Sequence, residues 1–359
     1  MIILGIETSC DETAAAILEY NYLNRHFEIL SNVISSQISI HRKYGGIIPE
    51  LAARAHIKNI VPVIKTALKG IKNKNLLHPE KKIDLIAATY GPGLVTSLLV
   101  GVETAKTLSY LWKKPLIAIN HLQGHLNANF LETDKIPFPT ISLIVSGGHT
   151  ELGLIKKQGH YQKIGQTRDD AAGECFDKIA KLLNLGYPGG PIIAECAQQW
   201  KSRNADFDFK IHLPRPMANS RDFDFSFSGL KTAVLYLAKK NKKMLKNRFF
   251  VQNICAESQQ AIIDVLIKKT LKAAKQYKVK SILLSGGVAA NQSLREQLEL
   301  ATHQIPQIKF FVPNKILCTD NAVMVAITGC LKYQNLNLNQ RKKLKENWKK
   351  IKAEPNLSI

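Results

Sequence analysis

Two stretches of this chain carry one pattern. IILGIETSCDETAAAILE (residues 2–19) and TISLIVSGGHTELGLIKK (residues 140–157) each run from an apolar strand through a turn of small and hydroxyl residues into a second, half-alternating strand. Each reads as a β-hairpin that opens a domain, so the pattern predicts a duplicated architecture. Length agrees, because 359 residues exceed what a single compact core usually organises. Between the hairpins, KKIDLIAATYGPGLVTSLLVGVETAKTLSYL reads as strand, Gly-Pro-Gly turn and helix, KPLIAIN as a strand, and HLQGHLNANFLE as a helix. Such alternation predicts an α/β fold with a largely parallel core.

The second half adds a helical insertion. DDAAGECFDKIAKLLNLG closes at Gly186, YPGGP is a loop, and FSFSGLKTAVLYLAKK is a helix entered from a Ser-rich turn. VKSILLSGGVAANQSLREQLE returns to strand, glycine loop and helix. CTDNAVMVAITGCLKY starts an apolar helix with Asp320 as its expected N-cap. The basic segment after residue 335 is expected to be a solvated helix or a frayed end.

Composition narrows the function. Fifty Lys and Arg against 28 Asp and Glu give a net charge of +22, which attracts polyanions such as nucleic acid; the alternative is a lysine-rich solvated surface. Six scattered cysteines without a C-x-x-C pair argue against a disulfide framework and a thiolate zinc site. No apolar run reaches the ~18 residues of a membrane span, and no basic leader precedes the first strand. A cytoplasmic protein without membrane attachment is the expectation.

Three glycine-rich turns follow strands: GPG at 91–93 and SGG at 146–148 and 285–287. Backbone N–H groups at such turns bind phosphate, and the set points to a nucleotide in an interdomain cleft. There is neither a P-loop nor an opening G-x-G-x-x-G. In HLQGH, His121 and His125 stand four apart, so on a helix both imidazoles reach one ion. Asp320 would complete a two-His, one-carboxylate site with open positions, suiting Fe(II) or Zn. The alternative is that one histidine caps a strand end while the other packs. Residue 122 is Leu, so the glutamate base of an H-E-x-x-H peptidase is missing.

GIETSCDETAAAI, YGGIIPELAARAHIKNI, GPGL, HLQGH, VSGGHTEL, DDAAGECFDKIAKLL, YPGGP, DFSFSGLKTA, SGGVAAN and CTDNA, in this order, resemble the bacterial TsaD family. The resemblance implies the actin/Hsp70/sugar-kinase (ASKHA) fold, two RNase H-like lobes around a cleft with a helical insertion in the second. Residues 1–120 would form the N-terminal lobe, with a helix at about 321–340 packing back onto it. Residues 121–320 would form the second lobe with its insertion at about 165–275, and 341–359 a basic tail. The implied reaction moves a threonylcarbamoyl group from threonylcarbamoyl-AMP to N6 of adenine 37 in tRNAs that read codons beginning with A, releasing AMP. His121, His125 and Asp320 would bind one divalent metal ion, usually iron. The backbone of Ile144, Val145, Ser146, Gly147 and Gly148, with Asp177, Gly190 and Asn291, would hold the adenylate. Asp11 and Glu12 would orient the attacking amine. A TsaB-like paralogue and a TsaE-like ATPase are the implied protein partners. Gln123 and Glu151 depart from the common pattern but are not assigned ligands. A phosphotransferase or ATPase on the same fold, a chaperone-like nucleotide-gated module and a metal-dependent peptidase are the competing readings.

Overall fold

The computed structural model describes residues 1–71, 78–133, 135–202 and 211–359. It divides into two compact units, residues 1–135 with 319–359, and residues 136–318.

The first unit is built on a five-stranded sheet of β1 (Ile2–Glu7), β2 (Glu12–Asn21), β3 (His26–Ser36), β4 (Leu85–Gly91) and β5 (Leu116–Asn120), in the order β3-β2-β1-β4-β5. Its helices are α1 (Ile38–His41), α2 (Pro49–Leu68), α3 (Val95–Trp112) and α4 (His121–Asn127), with α10 and α11 from the C-terminal end of the chain. The second unit holds β6 (Thr140–Val145), β7 (Thr150–Lys157), β8 (His160–Gln166), β9 (Ser281–Ser285) and β10 (Lys309–Phe311), ordered β10-β9-β6-β7-β8. Between β8 and β9 lie α5 (Ala172–Leu182), α6 (Gly189–Lys201), α7 (Ser228–Lys240) and α8 (Arg248–Gln276); α9 (Gln292–His303) precedes β10. The chain then returns to the first unit with α10 (Ala322–Gln334) and α11 (Leu338–Lys343).

The two sheets share one topology. In each, three antiparallel strands are followed by two that join in parallel beside the first strand of the hairpin. The central strands β1 and β6 are paired on both edges and covered on both faces, which is why they read as unbroken apolar runs. Helix α10 is buried along most of its length and lies so close to β1 that a Cβ on Gly5 would strike the Ala322 carbonyl. A helix apolar all round has to be enclosed in this way.

Two expectations are corrected. The lobe boundaries set at 120/121 and 320/321 fall instead at 135/136 and 318/319, because α4 and the turn after it pack on α10. The segment after residue 335 is not frayed. Trp348 lies edge-on to Tyr110 at 5.1 Å, Ile351 is buried, Asn347 donates to the Leu116 carbonyl (3.1 Å), and the Glu354 N–H donates to Tyr90 (2.7 Å). Trp348 and Ile351, three apart among lysines, give that segment an apolar side able to pack. No described helix is long and apolar enough to cross a membrane.

Candidate functional site

The chemistry-bearing residues of the first unit gather where β1 and β5 end. Asn120 closes β5 and caps α4, its Oδ1 accepting from the N–H groups of Leu122 (2.9 Å) and Gln123 (3.1 Å). That cap starts α4 at His121, which places His121 and His125 on one face, with ring centroids 4.7 Å apart. Asp320 comes from the turn before α10, where its Oδ1 lies 3.1 Å from His125 Nε2 and 3.5 Å from His121 Nε2. One ligand atom from each of the three lies within 4.8 Å of the others.

Asp320 does not cap α10, contrary to expectation. Asn321 does, its side chain accepting from the Met324 N–H (3.0 Å), which leaves the Asp320 carboxylate turned toward the histidines.

The surroundings fit a cation. Glu7, fully buried at the end of β1, accepts from the Ser9 N–H (2.6 Å) and the Thr89 hydroxyl (2.7 Å), and its Oε2 lies 3.1 Å from His121 Nδ1. Ser9 Oγ stands 3.0 Å from the same nitrogen. A proton held on Nδ1 leaves the Nε2 lone pair facing Asp320, the arrangement that carboxylate–histidine–metal sites use. Burial pulls the His121 pKa down, but Asp320 and Glu7 outweigh it and hold the imidazole at about 9, so a positive charge is stabilised here. Burial pushes Glu7 upward, yet the His121 charge and hydrogen bond leave it below the ordinary carboxylate value. Neither Glu7 nor Ser9 was assigned from the sequence. The available signal was a single carboxylate ending a buried apolar strand.

Asp11 lies on the same turn and Glu12 begins β2 directly after it. Glu12 is held up to about 9 by burial, by Asp11 and by Asp320; it shares a hydrogen bond with Asp11 and accepts one from Ser36 (3.0 Å). Together with Asp320 and Glu7, these carboxylates outnumber the two histidines, as a cation site requires.

The residues expected to hold the adenylate all fall in the second unit. Ile144 and Val145 are buried in β6, and the turn that follows closes through Ser146 N–H to His149 O (2.8 Å) and His149 N–H to Ser146 Oγ (3.0 Å). Gly147 and Gly148 are exposed, with open space where a Cβ would stand. The start of α5 abuts this turn, with Gly173 N–H donating to Ser146 O (3.1 Å). Gly286, at φ +90, lies so close that a Cβ there would meet the Val145 carbonyl at 2.5 Å, so both SGG turns adjoin. Asp177, one helical turn beyond Gly173, accepts from the Gly189 N–H (2.7 Å), next to the open Gly190. Asn291 caps α9 through Leu294 N–H (3.0 Å) and donates to Gln259 Oε1 (2.7 Å).

The third glycine turn is not a phosphate cradle. Gly93 N–H donates to Pro355 O (3.2 Å) and Leu94 N–H to Ser9 O (2.8 Å), and a Cβ on Gly91 would strike the Glu354 carbonyl. Pro355 of the C-terminal segment has taken the Gly93 donor and Ser9 of the first hairpin turn the Leu94 donor.

Comparison with known proteins agrees with this geometry. A sequence model of the TsaD family, described as tRNA N6-adenosine threonylcarbamoyltransferase, matches residues 28–327. The protein of that name from Syntrophomonas wolfei is 48% identical over 334 residues, covering 93% of this chain and 93% of its own. The Thermosipho africanus protein of the same name is also 48% identical over 334 residues, covering 93% and 95%. Among solved structures, HypF in a phosphate- and nucleotide-bound form aligns with TM-score 0.54 at 12% identity, over 92% of this chain and 46% of its own. Component A of the (R)-2-hydroxyglutaryl-CoA dehydratase of Acidaminococcus fermentans aligns with TM-score 0.52 at 15% identity, over 92% and 98%. These two likenesses concern the ASKHA-type fold alone.

Proposed function

The chain belongs to the TsaD family of tRNA N6-adenosine threonylcarbamoyltransferases, and from that membership we propose that it moves the threonylcarbamoyl group of threonylcarbamoyl-AMP to N6 of adenine 37 in tRNAs reading codons that begin with A. The N6 nitrogen bonds to the carbamoyl carbon, the bond from that carbon to the phosphate oxygen breaks, AMP departs with the bonding pair, and N6 sheds a proton.

The observation that carries the reading is the convergence of His121, His125 and Asp320 within 4.8 Å, backed by the Glu7 contact to His121. These three residues would hold one divalent ion, Fe(II) in our reading and Zn as the alternative; when bound it supplies Lewis acidity and orients the donor. Asp11 and Glu12 orient the amine. The exposed N–H groups of Gly147 and Gly148 bind the donor's phosphate, and Asp177, Gly190 and Asn291 position its nucleoside end. Because N6 is a weak nucleophile, positioning supplies much of the rate. The protein partners in this reading are a TsaB-like paralogue and a TsaE-like ATPase. Ile57 and Val61, one turn apart and 65% and 52% exposed on α2, offer the paralogue an apolar stripe.

Reconstitution with those partners, a threonylcarbamoyl-AMP synthase, tRNA, threonine, bicarbonate and ATP tests the reading, with the modified nucleoside read by mass spectrometry. Wild-type protein should convert adenine 37, and folded His121→Ala protein should not. Unmodified tRNA in the wild-type reaction would overturn the assignment.

A further inference from the structure

Where α7 ends and α8 begins, six of the ten residues from Lys239 to Arg248 are basic and none is acidic. Lys239, Lys240, Lys242, Lys243, Lys246 and Arg248 are all exposed, and among the described residues of this unit none of the six is ion-paired. The other basic run, residues 341–352, is interrupted by Glu346 and is partly engaged within its own unit: Arg341 stacks over Tyr333 at 4.7 Å, Lys349 pairs with Glu346 at 3.2 Å, and Trp348 packs on Tyr110.

The first run is nonetheless a fixed surface. The Asn241 N–H (3.1 Å) and Nδ2 (2.9 Å) both donate to Leu237 O, the Met244 N–H donates to Asn241 O (2.8 Å), and the Asn247 N–H donates to Met244 O (2.8 Å). Asn247 Oδ1 then caps α8 by accepting from Phe249 N–H (2.9 Å), while Leu245 packs against the core of the unit. The first turn of the 29-residue α8 contains no acidic residue, so its positive dipole end adds to the same field.

Like charges so spaced repel one another, and their compensation has to come from outside the chain. Six cations spread over two helix ends and the turn between them suit a run of phosphates better than one small anion. Aromatic rings flank the run: Tyr236 is 66% exposed and Phe249 40%. Tyr236 also borders an open hollow of about 340 Å³ lined by His212, Leu237 and Lys240. Cations beside an exposed ring are how single-stranded nucleic acid is held.

We propose that residues 236–249 form a docking strip for the tRNA backbone, with an unpaired base stacking on Tyr236. The proposal rests on the family reading for the identity of the polyanion. It adds where on this chain that polyanion is held.

The test is direct binding of unmodified tRNA across a range of salt concentrations, for wild type and for the combined variant Lys239→Gln, Lys240→Gln, Lys242→Gln, Lys243→Gln. Releasing fewer counterions, the variant should bind at least about tenfold more weakly near 0.1 M salt, with a log Kd against log salt slope smaller by about 3. Tyr236→Ala should weaken binding by about fivefold or more without changing the slope. Both variants should keep the wild-type melting temperature and metal content. Unchanged affinity and slope in the quadruple variant would overturn the proposal. So would loss of binding to phosphatidylserine vesicles with tRNA affinity intact, which would make the strip a membrane contact. The family reading fails separately, on unmodified adenine 37 in the wild-type reaction.

Discussion

The turn between β1 and β2 and the turn between β6 and β7 hold the same place in two copies of one strand arrangement, yet they are built from opposite materials. The first is made of side chains: Thr8 and Ser9 are buried, Asp11 is 8% exposed, and Glu7 leads into them. The second is made of backbone: Gly147 and Gly148 are exposed and nothing crowds the space above them. Burying carboxylates is costly unless a positive partner and hydrogen bonds offset the lost solvation. The first turn meets that condition through His121, Ser9 and Thr89. The second would need no charge to serve the phosphate proposed for it, because backbone N–H groups bind phosphate at little desolvation cost. In the proposed reading, a duplicated scaffold thus supplies a cation site in one copy and an anion site in the other.

Removing a side chain from the cation site should have the largest effect. Asp320→Ala should lose bound metal and lower threonylcarbamoyl transfer by more than about a hundredfold, while tRNA binding, proposed to rest on residues 236–249, stays near wild type. Metal analysis and a tRNA-binding titration on the same preparation check it. Glu7→Gln should be milder, weakening metal affinity by about 10- to 100-fold, because His121 loses the charged acceptor on Nδ1. If Glu7→Gln protein binds metal as tightly as wild type, the first turn does not depend on its buried carboxylate.

Gly147→Val probes the other material. No atom lies within 4 Å of the added Cβ, so the melting temperature and metal content should hold. Donor affinity should fall by about tenfold, the worth of roughly one charge-assisted hydrogen bond. Calorimetry with a non-transferable adenylate analogue measures it, and equal loss of metal would erase the contrast between the turns. The first turn alone should also make metal-stripped protein pH-sensitive. His121 is raised from 6.5 to about 9 in the fold, so its stabilisation is complete below about pH 6.5 and is lost as pH rises through 9. Glu12, raised from 4.5 to about 9, adds a loss spread between those values. Urea melts of stripped protein at pH 6 and 9.5 should show lower stability at 9.5, and saturating metal should reduce the difference, since ion and proton compete for one nitrogen.

Much of this contrast was legible in the sequence. The two hairpins, the His121–His125 spacing and the SGG turns are local patterns, and local patterns survive into the fold. What stayed hidden depended on distant chain. Glu7 becomes a partner of His121 only when β4 pairs with β1 on one edge and with β5 on the other. The GPG turn reads as a phosphate loop until Pro355 is found on its N–H. The basic end reads as solvated because lysines mask the spacing of Trp348 and Ile351. The cap of α10 was misplaced by one residue because Asp and Asn are near-equal N-caps and stand side by side.

That misplacement yields the smallest and cleanest test. Asp320 and Asn321 are neighbours with divided duties: Asp320 Oδ1 faces His121 and His125, whereas Asn321 accepts from Met324 N–H and donates to Thr319 O (2.7 Å). Asn321→Ala should cost about 1 kcal/mol through the lost cap, a fall of about 2–4 °C in melting temperature. Its metal content should stay within about twofold of wild type. Asp320→Asn should do the reverse, losing metal while metal-stripped protein melts near its wild-type temperature at pH 7.5. Removing that carboxylate leaves the cap in place and relieves crowding on Glu12, although His121 loses part of its support. Should both variants lose metal and stability together, cap and ligand would be one cooperative unit, and the side-chain turn could not be taken apart residue by residue.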